Sequence, residues 1–160
     1  MGKITVVGLG AGGFEQLPVK IYEALTNAKE KVYTRTMDHP VIDSLKKRGV
    51  VFASFDSVYE EADEFAEVYE RIVDRLVAEA KASGSILYAV PGHPMVAEKT
   101  VKLLLSHPDV ETEVLGGQSF LDDLFAALKI DPIDGFQLID ATSFERDMLQ
   151  YRNHLIFCQV

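Results

Sequence analysis

Short apolar runs of strand length alternate along this chain with stretches in which apolar residues recur every three or four positions. Residues 4–7, 50–52 and 85–90 form the first set, and 31–34 and 110–115 read as further short strands. The second set opens after Pro18 with Ile21, Ala24, Leu25 and Ala28, and continues through 40–48, 63–81 and 95–106. Apolar runs without polar alternation belong to strands buried on both faces, and the helical stretches between them supply the cover. Parallel strands joined by right-handed helical crossovers meet both requirements. The sequence therefore predicts an α/β fold, a mainly parallel sheet with helices on both faces.

The clearest helix is 63–81, where Phe65, Val68, Ile72 and Leu76 make one apolar stripe and Ser83-Gly84 ends it. A first α/β domain is expected over 1–115. After Gly116-Gly117 come a helix at 119–128, a proline-containing turn, a strand at 136–139 and a last apolar run at 155–160. The last strand has no terminating turn or polar tail, so 116–160 reads as a linker and part of a truncated second α/β domain. A chain of 160 residues is long enough for one well-buried core and the start of another.

A formal charge of −9 argues against nucleic acid and anionic membrane as partners, because both need clustered Lys and Arg. The single cysteine, Cys158, excludes an intramolecular disulfide and disfavours a thiolate zinc site. No stretch approaches the roughly 18 apolar residues that span a bilayer, and the start lacks a secretory pattern. The expected compartment is the cytoplasm.

Gly8, Gly10 and Gly13 satisfy G-x-G-x-x-G directly after the first strand, where a dinucleotide site would lie. That site also needs a helix N-terminus at the third glycine and an acidic residue about twenty positions on. Here Phe14-Glu15-Gln16-Leu17-Pro18 intervenes, and Tyr33-Thr34-Arg35-Thr36 stands where the acid belongs. An NADP-binding domain, with Arg35 on the 2′-phosphate, is one alternative. A tight turn with no ligand is another.

The second loop is more specific. In Tyr88-Ala89-Val90-Pro91-Gly92-His93-Pro94-Met95-Val96, Pro91 ends strand pairing, Gly92 permits close backbone approach and Pro94 starts the next helical segment. VVGLGAGGFEQLP, YAVPGHPMVAEKT and VLGGQSFLDDLFAALKIDP occur in the order of three motifs of the tetrapyrrole (corrin and porphyrin) methylases. At these residues the chain resembles that family, and in particular the methylase-like N-terminal part of proteins that also carry a MazG-type nucleotide pyrophosphohydrolase domain.

The resemblance implies a methyltransferase module with S-adenosylmethionine in a cleft, a small-molecule methyl acceptor such as a tetrapyrrole, and a homodimer. It implies that backbone groups of these loops do most of the holding. By the same resemblance Leu9 and Gly10 line the cleft floor, and Pro91, Gly92, His93 and Val96 hold the methionine and ribose parts. Ser119 and Phe120 face the adenosyl group, and Gln159 and Val160 meet the adenine. Ala11 departs from the usual proline of the first loop, and His93 from the usual aspartate of the second. These departures leave open a second reading: a non-catalytic binding or regulatory module attached to a MazG-type domain.

Methyl transfer from a sulfonium is an in-line displacement that needs alignment and exclusion of water more than ionisable groups. No nucleophile elbow, Walker loop or H-E-x-x-H occurs. Glu60, Glu61, Glu64, Glu67, Glu70 and Asp74 form an acidic stripe with Arg71 and Arg75 at ion-pair spacing, which reads as a solvated helix face and not as a metal site. His39, His107 and His154 show no metal-ligand spacing and are expected in surface or core roles. Asp122-Asp123 suits a helix start, and Cys158 an inert core position.

Overall fold

The computed structural model describes residues 1–61 and 65–159. Asp63, Glu64 and Val160 lie outside the described residues, as do the side chains of Glu61 and Phe65. The first two residues of the expected long helix, two side chains of the acidic stripe and one candidate adenine contact fall there.

The chain divides into two compact units, Met1–Phe120 and Leu121–Val160. The first unit runs β1 (Gly2–Gly8), α1 (Val19–Thr26), β2 (Lys31–Thr34), α2 (Ile42–Lys46), β3 (Phe52–Ser54), α3 (Asp56–Glu61), α4 (Phe65–Ser83), β4 (Ser85–Val90), α5 (Lys99–Leu105) and β5 (Val110–Gly116). Its sheet has the order β3-β2-β4-β1-β5, and every neighbouring pair is parallel.

The unbroken apolar runs are explained by cover on both sides. Ile4 and Val6 of β1, with Ile86, Tyr88 and Val90 of β4, face Val68, Ile72 and Leu76 of α4 and Val101 and Leu104 of α5. Val7, Leu87 and Ala89 face the opposite way, against Ile21 and Leu25 of α1 and Ile42 and Leu45 of α2. Burying one such aliphatic side chain is worth roughly 1.5 to 3 kcal/mol, so the alternation on β1 and β4 is the main determinant of the sheet.

The connection from β1 leads to β2 on one side, while that from β4 leads to β5 on the other. Between these two strands the winding reverses, which in open α/β sheets opens a crevice at the carboxyl edge. The loops after β1, β2, β4 and β5 all leave from that edge.

Three elements differ from the sequence expectation. The third strand was expected at 50–52 and occupies Phe52–Ser54. Val50 instead closes α2, donating its N–H to Leu45 O at 3.1 Å, and Val51 is exposed. A helix from residue 95 was expected, but α5 starts at Lys99. Residues 94–97 form a turn instead: the Met95 N–H donates to His93 Nδ1, the Val96 N–H to His93 O, and Ala97 takes φ 55°. Helix α3 was not foreseen.

Helix α6 (Phe120–Leu128) leads into the second unit, which holds the parallel pair β6 (Phe136–Asp140) and β7 (His154–Cys158). Phe125 meets Phe136 edge to face with ring centroids 5.1 Å apart. Asp131 Oδ1 accepts the Ile133 N–H in the turn that Pro132 enters. Among the described residues, no helix is long and apolar enough to cross a membrane.

Candidate functional site

Pairing between β1 and β4 continues past both strand ends into their loops. The Leu9 N–H donates to Val90 O at 2.8 Å, the Gly10 N–H to Gly92 O at 3.2 Å, and the Gly92 N–H to Gly10 O at 2.8 Å. The last two bonds make an antiparallel bridge between the loops. Gly10 has φ 78° and Gly92 φ 64°, a region glycine enters without the clash a Cβ would bring.

A third loop packs on this bridge. A Cβ on Gly117 would stand 2.7 Å from Gly8 Cα, and one on Gly8 would stand 2.3 Å from Gly92 O. The loops after β1, β4 and β5 therefore meet backbone on backbone. Gly92 differs: a Cβ there would meet nothing within 4 Å. Its Cα face opens on free space beside the half-buried Pro91 and His93.

His93 Nδ1 accepts the Met95 N–H at 3.1 Å. A ring nitrogen that accepts carries no proton, so the hydrogen of the neutral ring sits on Nε2 and makes that atom a donor. His39, in the loop after β2, is arranged alike: Nδ1 accepts the Val41 N–H at 3.2 Å, and Nε2 lies 2.8 Å from Gly10 O.

The same edge carries a buried ion pair. Arg35 Nη1 donates to Glu98 Oε1 at 2.6 Å, with 5% of the Glu98 side chain exposed against 29% of that of Arg35. Glu98 Oε2 is buried and has no partner at full hydrogen-bond geometry. Burial pushes the carboxyl up to about 7, and the Arg35 guanidinium pulls against that without restoring the ordinary value. Below it the Tyr88 hydroxyl and Thr100 Oγ1 lie 3.2 Å apart, and burial raises the phenol well above its usual range.

These details do not fit a dinucleotide. Gly13 caps the short turn Phe14–Gln16, and α1 begins only at Val19, so no helix N-terminus follows the third glycine. Arg35, the candidate for a 2′-phosphate, is engaged by Glu98.

The profile described as Tetrapyrrole (Corrin/Porphyrin) Methylases matches residues 3–155. The chain belongs to the tetrapyrrole methylase family. It is 51% identical over 162 aligned residues to the uncharacterized protein YabN of Bacillus subtilis (strain 168), covering 99% of this chain and 33% of that protein. The chain thus spans about a third of the length of this curated relative.

Solved structures of methylases share the fold. Precorrin-6Y methylase from Archaeoglobus fulgidus matches with a TM-score of 0.66 at 22% identity, over 97% of this chain and 72% of its own. Uroporphyrin-III-C-methyltransferase from Thermus thermophilus gives 0.62 at 23% identity, over 87% and 60%.

Within this tetrapyrrole methylase fold, Gly10, Pro91, Gly92 and His93 come together at the carboxyl edge. Leu9 does so only by its backbone, since its side chain is 1% exposed and belongs to the core with Val7 and Ile21. Val96 is half-buried in the turn that replaces the first helical residues, and Ser119 and Phe120 are half-buried at the end of the first unit. Gln159 is an exposed residue of the second unit with φ 65°. Backbone groups of these loops were expected to do most of the holding, but the Gly10 and Gly92 amides are bonded to each other's carbonyls in the bridge and the Leu9 amide to Val90 O. This part of the floor offers shape more than hydrogen bonds.

Elsewhere, Glu60, Glu67, Glu70 and Asp74 are exposed, with Glu67 paired to Arg71 one turn on. Glu79 pairs with Lys31 at 3.1 Å. Among the described residues, no three His, Cys, Asp or Glu side chains are placed to hold a metal. Burial pushes the Cys158 thiol up, which keeps it a poor nucleophile. Glu98 and His39 are polar residues of this edge to which sequence reasoning gave no part.

Proposed function

We propose that this chain is the S-adenosylmethionine-binding front part of a methyltransferase of the tetrapyrrole-methylase type, acting on a small-molecule acceptor as a homodimer in the cytoplasm. The observation that carries the proposal is the Gly10–Gly92 bridge, which joins the two motif loops at the crevice where the sheet reverses its winding. The bare Cα face of Gly92, in the loop that also carries Pro91 and the His93 Nε2 donor, fits a cofactor that needs close approach. Held there by Pro91, Gly92 and His93, the cofactor would supply an electrophilic methyl group on sulfur. The residues named here hold the donor in line and limit access of water.

Calorimetry tests this directly. S-adenosylhomocysteine is expected to bind with a dissociation constant on the order of micromolar and to raise the melting temperature. NADP should not compete. Absence of both heat and thermal shift would end the cofactor reading.

One observation favours the second reading, a methylase-derived module that serves a MazG-type domain without transferring methyl groups. His93 puts a donor where the motif has an acceptor, and its Nδ1 is committed to the Met95 N–H. An aspartate could accept that same amide and still face the cofactor. His93→Asp should therefore fold normally and bind S-adenosylhomocysteine several-fold more tightly if the site is a working one, and no gain would favour the regulatory module.

A further inference from the structure

Both nitrogens of His39 are engaged, and each fixes a different piece of backbone. Nδ1 accepts from Val41, so the ring proton sits on Nε2, which donates to the Gly10 carbonyl at 2.8 Å. That oxygen also accepts the Gly92 N–H at 2.8 Å, and the two donors occupy its two lone pairs.

The local chain constrains the direction of this carbonyl only loosely. Gly10 has no Cβ and sits at φ 78°, and the next residue is Ala11, which lacks the ring by which a proline would restrict its neighbour. Rotation of the Gly10–Ala11 peptide would turn the oxygen away from Gly92 and open the bridge. His39 opposes that rotation from outside the loop. Its own segment is anchored, since the Arg35 N–H donates to Ala89 O at 3.0 Å and the Met37 N–H to Asp56 Oδ2 at 3.0 Å.

We propose that His39 is a positioning residue for the cofactor, locking the Gly10 peptide so that the Gly10–Gly92 bridge keeps its shape under the ligand. The proposal rests on the S-adenosylmethionine reading and assigns to that site a residue outside all three motifs. The loop after β2 thereby becomes a working part of the site.

Hydrogen exchange at single-residue resolution and calorimetry test it together. His39→Ala is expected to speed exchange of the Gly92 amide about tenfold while the β4 amides keep their protection, and to weaken S-adenosylhomocysteine binding about tenfold, the effect of one well-placed hydrogen bond. His39→Gln keeps a side-chain donor and acceptor and should recover most of both. Protection lost evenly over β1 and β4 would make His39 a general stability residue and overturn the proposal. Unchanged binding by His39→Ala, with the wild type binding normally, would overturn it and leave the cofactor reading intact. A wild type that takes up no S-adenosylhomocysteine would sink the cofactor reading and the positioning role with it.

Discussion

Gly8→Ala is expected to lower the free energy of unfolding by about 3 kcal/mol or more and to abolish S-adenosylhomocysteine binding. The added Cβ would stand 2.3 Å from Gly92 O, 2.8 Å from Pro94 Cδ and 3.0 Å from Gly116 O. Two of those atoms are backbone, one in the loop after β4 and one at the end of β5, the two strands flanking β1, so relief would require moving a strand end. Gly10→Ala is the informative comparison. It has room, with its nearest neighbour Gln118 Cβ at 3.8 Å, but must hold φ 78°, which costs a side-chain-bearing residue about 1 to 2 kcal/mol. Close approach should therefore outweigh backbone conformation, although Gly10 is the residue with the unusual dihedral. Urea unfolding of both variants decides the matter, and a Gly10→Ala loss equal to or larger than that of Gly8→Ala would mean the three loops are not packed as described.

The parts of this fold legible in the sequence are those set by burial on two faces. In β4, residues 85–90 read as a strand because the apolar run is too short for a buried helix and is bounded by Gly84 and Pro91, and every position from Ile86 to Val90 is buried. β3 was misplaced because Val50 is apolar for another reason: it plugs the end of α2, and its apolar character cannot distinguish that duty from a strand's. The start of α5 was missed because Pro94 suits a first helical turn, whereas the His93 side chain captures the Met95 amide and diverts the chain for four residues. Within the candidate site, glycine and proline positions were readable, since their steric meaning is local. Glu98 and His39 were not. Their partners, Arg35 and Gly10, lie 63 and 29 residues away, and nothing in local spacing marks such a pair.

Glu98→Gln is expected to remove a pH-dependent loss of stability worth about 3 kcal/mol between pH 4.5 and pH 7. The sign follows from the direction of the shift. Burial lifts the folded-state value from an ordinary 4.5 to about 7, so in that interval the folded protein binds a proton that the unfolded chain releases. Stability is then fully present below the ordinary value and falls as pH rises through the folded one. Arg35, holding Oε1, and the Thr100 hydroxyl limit this loss, but Oε2 is buried without a donor at full hydrogen-bond geometry, and a carboxylate oxygen so placed is costly. Glutamine keeps the shape and an oxygen for Arg35 without the titration. Denaturant unfolding from pH 5 to pH 8 should therefore show the wild type losing stability more steeply than Glu98→Gln, with the variant relatively better placed at the alkaline end. Parallel profiles would mean that Glu98 keeps its charge throughout, and that a donor, from water or from Arg35, reaches Oε2 in solution.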